Sequence, residues 1–336
     1  MGIIVMRNTM NKKKKHSRYL AYAGIALLLI GIVAAVLFLK DPDQATTVSD
    51  TTYTDYHTHT YEDVDYAYNS SITTILLLGI DSEDPDNEQG QADVISLLLL
   101  DRENEQIELL NIPRDTMTEI LLSDIQGNSL GWQRQHLNLA YAYGRTPEDG
   151  CMNTAQAVSR LLYQVPIPKY AAIDLSRIDE MHAIVGDLEV VIPNDSLSYL
   201  GRGWREGQTI TLTEENLETY LRSRDTEENF SNTDRMERQE AHLKAYIGRL
   251  KELLETDQEG TIRKVSTLLE DITTNISYSD VQVYSEMLLS YGYDPETDIH
   301  LLPGTDTVGE LHDEYEPDKA QVEEMVIELF YRKESE

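Results

Sequence analysis

The sequence predicts an α/β domain, its central sheet covered on both faces, behind one N-terminal membrane-spanning helix. Three observations carry this. ILLLGI (75–80), VISLLLL (94–100) and IELLNI (107–112) are apolar at successive positions, as strands buried on both faces must be. Apolar residues then recur at three- and four-residue spacing in MNTAQAVSRLLYQ (152–164), the periodicity of a helix with one buried stripe. Ahead of all of these, Leu20–Leu39 is an uncharged apolar run of twenty residues, the length that crosses about 30 Å of hydrocarbon as a helix.

The run is also oriented. Arg7, Lys12, Lys13, Lys14, Lys15 and Arg18 precede it, whereas no Lys or Arg occurs between Lys40 and Arg102. Basic residues are retained on the cytoplasmic side, so residues 1–19 are expected inside the cell and everything after residue 39 outside it. A cleaved signal peptide fits less well, because its apolar core is usually about 7–15 residues. The segment 40–71, rich in Thr, Asp and Tyr and nearly free of aliphatic residues, is expected to be an extracytoplasmic linker.

The folded part is expected to run from 72 to 252, with a helical portion over 253–336 packed on the same domain. A second helix is predicted after Ser176 through IDEMHAIVG, and LEVVI (188–192) reads as a further strand. Helices are predicted over Asp234 to about Leu254, over Thr261–Ile272, from the capping box Ser279-x-x-Gln282, and from Pro317 at the first helical position to Tyr331. No internal repeat argues for a solenoid. Cys151, the lone cysteine, allows no internal disulfide and reads as a small buried residue.

The formal charge is −32, and the part beyond the apolar run is more acidic still. Such a domain repels nucleic acid and anionic lipid, so an anion site has to be built locally from arginines or metal. The sequence offers both at predicted strand ends, where open α/β sheets collect ligands. Asp81 follows ILLLGI, Asp93 opens VISLLLL, and Arg114 with Asp115 follows IELLNI-Pro113. Arg222 and Arg224 form R-S-R, in which an extended backbone would project both side chains to one face. Arg235 and Arg238 stand three apart on a predicted helix. Arginine's planar fork suits phosphate, although acidic neighbours such as Asp225 and Glu237 would serve equally for surface ion pairs. Two carboxylates are what Mg²⁺ takes from a protein when phosphate oxygens complete its shell, and Mn²⁺ accepts the same ligands.

The order ILLLGID (75–81), ADV (92–94), NIPRDT (111–116), HLNLAYAYG (136–144), YLRSRD (220–225) and DRMERQ (234–239) resembles the LytR-CpsA-Psr family. LLPGT (301–305) with YEPD (315–318) looks like the tail such proteins carry. The resemblance covers about residues 72 to 252 and implies a three-layer α/β/α domain with a central mixed sheet and an apolar pocket for a polyprenyl chain. It implies a phosphotransferase that moves a glycopolymer from an undecaprenyl-pyrophosphate carrier to peptidoglycan outside the cell. Asp81 and Asp93 would then hold Mg²⁺, Arg114, Arg222, Arg224, Arg235 and Arg238 would line the pyrophosphate, and Asp115 or Asp234 would be the base. One position departs from the family: Gln91-Ala92-Asp93-Val94 stands where Arg-Ser-Asp-Thr is usual, replacing a cation by a neutral amide. The alternative is accordingly a non-catalytic module that binds the polyprenyl-pyrophosphate glycan or wall polymer. No nucleic-acid partner is expected.

Overall fold

The computed structural model describes residues 58–82, 90–124, 126–223, 231–257 and, with short gaps, 260–333. The predicted membrane helix and the basic tail before it lie outside these residues, as does most of the predicted helix 261–272. Among the described residues no helix is long and apolar enough to cross a membrane. The chain forms two compact units, one comprising Lys40–Leu175 with Ile272–Glu336, the other Ser176–Asp271.

The first unit is built on a six-stranded mixed sheet. The predicted strands are β3 (Ile72–Asp81), β4 (Gln91–Asp101) and β5 (Gln106–Asn111), which pair antiparallel in succession. β8 (Lys169–Asp174) runs parallel to β3, and β12 (Ile299–Leu301) runs parallel to β5. β11 (Thr273–Thr274) closes the β8 edge. Leu76, Leu78, Ile80, Ile95, Leu97 and Leu99 point into one apolar core, while Ile75, Leu77, Leu98, Leu100 and Leu109 point the other way and are equally buried. The uninterrupted apolar runs are thus explained: this sheet has no wet face.

Two helices pack into that core. α1 (Leu139–Ala142) buries Ala140 and Tyr141, and α2 (Pro147–Leu161) buries Cys151, Ala155 and Val158. Pro147 occupies the first turn of α2, where its missing N–H costs nothing, and the Thr146 hydroxyl accepts from Asp149 N at 3.2 Å. Burial pushes the Cys151 thiol up to about 12, so this cysteine is packing rather than chemistry. β6 (Met117–Ser123) and β7 (Ser129–His136) form a separate antiparallel hairpin beside α2.

Two expectations for this unit are corrected. Residues expected to be linker form β1 (Thr58–Tyr61) and β2 (Val64–Tyr68), a hairpin whose β2 also pairs with the last strand, β15 (Tyr331–Lys333). Tyrosines supply the apolar surface that aliphatic residues do not: Tyr61, Tyr66 and Tyr68 pack against the core, and His59 bonds Glu323 at 2.8 Å. The last helix, α6 (Lys319–Phe330), starts after Asp318, whose carboxylate accepts from Gln321 N at 3.2 Å. Pro317 instead ends β14 (Asp313–Pro317), paired with β13 (Gly304–Val308), and Tyr331 is already extended. Ser279 and Gln282 of the predicted capping box lie outside the described residues.

The second unit is mainly helical. α3 (Ile178–Val185) follows Ser176 as predicted. The strand read from LEVVI is β9 (Leu188–Val191), but it pairs only with β10 (Thr209–Leu212) and does not join the large sheet. α4 (Glu214–Arg222) opens on the capping box Thr213/Asn216, and α5 runs from Ser231 to Thr256. Ile184 and Val185 are buried in α3.

Candidate functional site

In the first unit, the strand ends bring together what the sequence placed at separate motifs. Asp81 is the last residue of β3 and stands opposite Gln91 in the register; Asp93 follows in β4, where the register shifts between Gly79 and Ile80. A side chain at Gly79 would meet Leu175 at 2.9 Å and Val94 at 3.0 Å, so only glycine lets the strands close up at this irregularity. Beyond β5, the turn that carries Arg114 and Asp115 is held by Thr116, whose N–H and hydroxyl both reach Pro113 O, at 3.0 and 2.6 Å. Arg114 then folds back onto β4: its Nη1 bonds Asp93 and its Nε bonds Asp115 at 3.2 Å. His136 Nδ1 lies 3.7 Å from Asp115.

Burial pushes the Asp93 carboxyl above the ordinary carboxylate range; the Arg114 charge and hydrogen bond pull it back, and Asp81 and Asp115 push it up again. Burial alone would lower Arg114, but the Asp93 and Asp115 charges outweigh it and hold the guanidinium more firmly protonated. Asp81 therefore stands close enough to Asp93 to disfavour the ionisation of Asp93, a repulsion that a bound cation would relieve. No group of three or more His, Cys, Asp or Glu side chains suited to a metal occurs among the described residues. The donor set is nonetheless right for a hard cation such as Mg²⁺, which needs one or two carboxylates and leaves the rest of its shell to water and phosphate.

Sequence reasoning passed over Asn138 and His136, although both lie in the quoted HLNLAYAYG. Asn138 stitches the site together: its N–H donates to Arg114 O at 3.0 Å and its C=O accepts from Ala92 N at 3.2 Å. Its Nδ2 donates to the Gln91 carboxamide at 2.9 Å, while its buried Oδ1 has no partner among the described residues. Gln91, the residue that departs from the family pattern, is thus part of this network and sits directly across from Asp81.

The second unit holds the remaining predicted arginines and treats them differently. Arg238 is completely buried and donates from Nε to Tyr220 O at 2.9 Å, from Nη1 to Ser196 Oγ and from Nη2 to Ser223 O. It was expected among the pyrophosphate ligands; instead it clamps the C-terminal end of α4, whose last carbonyls lack helical partners. Arg222 is the last residue of α4 and only Ser223 is extended, so the extended R-S-R reading fails at its first arginine. Asp234 and Arg235 lie in the first turns of α5, their side chains not among those described, and Arg224 lies outside the described residues altogether.

Known proteins resemble this chain along most of its length. The model of the LytR_cpsA_psr family matches residues 38–330. A polyisoprenyl-teichoic acid–peptidoglycan teichoic acid transferase, TagU of Bacillus licheniformis, is 25% identical over 82% of this chain and 83% of its own. TagU of Enterococcus faecalis, of the same name, is 28% identical over 66% of this chain and 70% of its own. Among solved structures, Bacillus subtilis TagV superposes with a TM-score of 0.52 at 24% identity, covering 77% of this chain and 96% of the other, which shows a shared fold.

Proposed function

Because the chain belongs to the LytR-CpsA-Psr family, we propose that it transfers a glycopolymer from a polyprenyl-pyrophosphate carrier to peptidoglycan, acting outside the cell from a single membrane helix at 20–39. The teichoic acid transferase names of its relatives support the reaction class, and the polarity of the basic residues around the apolar run supports the placement. The single observation that carries the chemistry is the cluster of Asp81, Asp93, Arg114 and Asp115 at the strand ends.

Asp81 and Asp93 would hold Mg²⁺, whose contribution when bound is to neutralise charge on the pyrophosphate. Arg114 is kept protonated and oriented by its two aspartates, and its Nη2 bonds nothing among the described residues. That nitrogen is the donor we assign to a phosphate oxygen, aimed where negative charge grows as the bond to phosphorus breaks. Asp115, paired with Arg114 and near His136, is the candidate to receive the proton of the attacking glycan hydroxyl. Arg222, Arg224 and Arg235 remain proposed contacts to the carrier, whereas Arg238 acts as a positioning residue.

The test is titration calorimetry of the soluble part, residues 41–336, with a short-chain polyprenyl pyrophosphate. Binding in Mg²⁺ that disappears in EDTA and in Asp93→Ala is the expected result. Binding indifferent to metal and to Asp93 would remove the site from the proposal. Binding without transfer in a reconstituted assay would favour the non-catalytic module, the reading that Gln91 supports.

A further inference from the structure

A second cleft in the first unit lies on the outward side of α2, apart from the aspartates. It has a volume of about 540 Å³ and is lined by Trp132, Met152, Gln156, Arg160, Gln164 and Ile167, among others. That volume falls inside the roughly 300–1,000 Å³ of small-molecule sites. Trp132 lies on β7 four residues before His136, about 13 Å along an extended strand from the Asp115 end of the candidate site.

The lining decides the class of ligand. Arg160 is the only charged residue in it, and it is already ion-paired with Glu119 and stacked 4.3 Å from the Trp132 ring centre. An anion finds no unpaired cation here, in a chain whose formal charge is −32. The carboxamides of Gln156 and Gln164 are exposed and bond nothing among the described residues, so each presents donors and an acceptor together. Met152, 44% exposed, and Ile167 add apolar surface beside them. The indole is held in place by Arg160, which lowers the entropy lost when a ligand packs on it. An immobilised aromatic ring, neutral amides and apolar patches of methyl size match a neutral sugar that carries acetamido groups.

We propose that this cleft is a binding groove for an N-acetylated amino-sugar strand, separate from the pyrophosphate site. The choice of sugar rests on the reading of a peptidoglycan-directed transferase; the cleft's preference for a neutral polar ligand does not. Trp132 and Trp204 are the two tryptophans of the chain, so Trp204→Phe leaves Trp132 as the sole indole reporter. The full-length protein in detergent is titrated with chitotetraose, with maltotetraose and inorganic pyrophosphate as comparisons. A saturable Trp132 emission change with chitotetraose alone is expected, weakened about fivefold by Gln156→Ala or Gln164→Ala, the effect of losing one hydrogen bond. Asp93→Ala and EDTA should leave it unchanged. If Trp204→Phe fails to fold, ¹⁵N-indole labelling of the unaltered chain separates the two resonances and reads the same titration. No saturable change, an equal response to maltotetraose, competition by pyrophosphate, or indifference to both glutamine variants would each overturn the proposal. The readout needs no turnover: sugar binding in a protein without transfer activity sinks only the transferase reading, and a silent Trp132 in an active one sinks only this groove.

Discussion

Arg114 and Arg238 are the same residue type, each near acidic and hydroxyl neighbours in the sequence, and the two units put them to opposite uses. Arg114 is about a third exposed and bridges two carboxylates, with its Nη2 bonding nothing among the described residues. Arg238 has no exposed surface and grips main-chain carbonyls. A guanidinium in a carboxylate network can exchange a partner for phosphate at modest cost. One that satisfies helix-end carbonyls cannot leave without orphaning them. The interiors differ likewise: every described histidine of the first unit keeps some exposed surface, while the second buries His182 and His242 with ring centres 5.9 Å apart.

The sharpest way to break this contrast is to truncate both arginines. Arg238→Ala should cost about 3–5 kcal/mol of stability, because three acceptors lose a donor at roughly 1–3 kcal/mol each, and thermal or urea unfolding would register it. Arg114→Ala should leave the melting curve nearly unchanged and slow transfer about 10²–10³-fold, the effect of removing one preorganised donor from an anionic transition state. If Arg238→Ala melts like the parent protein but does not turn over, the assignment of Arg238 as a structural clamp is wrong.

Acid should separate the units next. Burial, reinforced by His182, lowers the His242 pKa to about 4, so His242 is neutral in the folded protein, while unfolded histidine titrates near about 6.5. Between those values the unfolded chain binds the extra proton, so stability falls as pH drops from about 6.5 toward 4 and levels off below. The loss is on the order of 3 kcal/mol, since a tenfold change in proton affinity is worth about 1.4 kcal/mol. His242→Phe should flatten that part of the pH profile; an unchanged slope would place the acid sensitivity elsewhere.

The smallest effect concerns Gln91. Gln91→Arg supplies the cation that the family resemblance implies at this position and offers a donor to Asn138 Oδ1, which has no partner among the described residues. Transfer should rise about tenfold to a hundredfold if the added bond forms only in the transition state, with stability changing by less than about 1 kcal/mol. A protein inactive before and after the change would be the binding module of the alternative reading.

Much of the first unit was legible in the sequence because its signals are local. Apolar runs name strands buried on two faces, the spacing over 152–164 names a helix though not its start at Pro147, and Asp81, Asp93 and Arg114 follow from where those strands begin and end. The tyrosine-rich hairpin was not legible: Tyr61 and Tyr68 look polar to a pattern of aliphatic residues, yet their rings pack on the core beside α6, far along the chain. Pro317 misled for a related reason, since proline suits a strand end as well as a first helical turn, and Asp318 was the true cap.

By itself the sequence determined the mixed α/β class, the family and the identity of the residues gathered at the strand ends, because periodicity and short motifs are written in neighbouring positions. Only the tertiary structure decided which partners those residues take. Arg114 meets Asp93 across 21 positions, Asn138 meets Gln91 across 47, and Arg238 meets Ser196 across 42. Whether a charged side chain faces a ligand or closes a helix end depends on which backbone groups the fold leaves without partners, and pairings that distant leave no local trace.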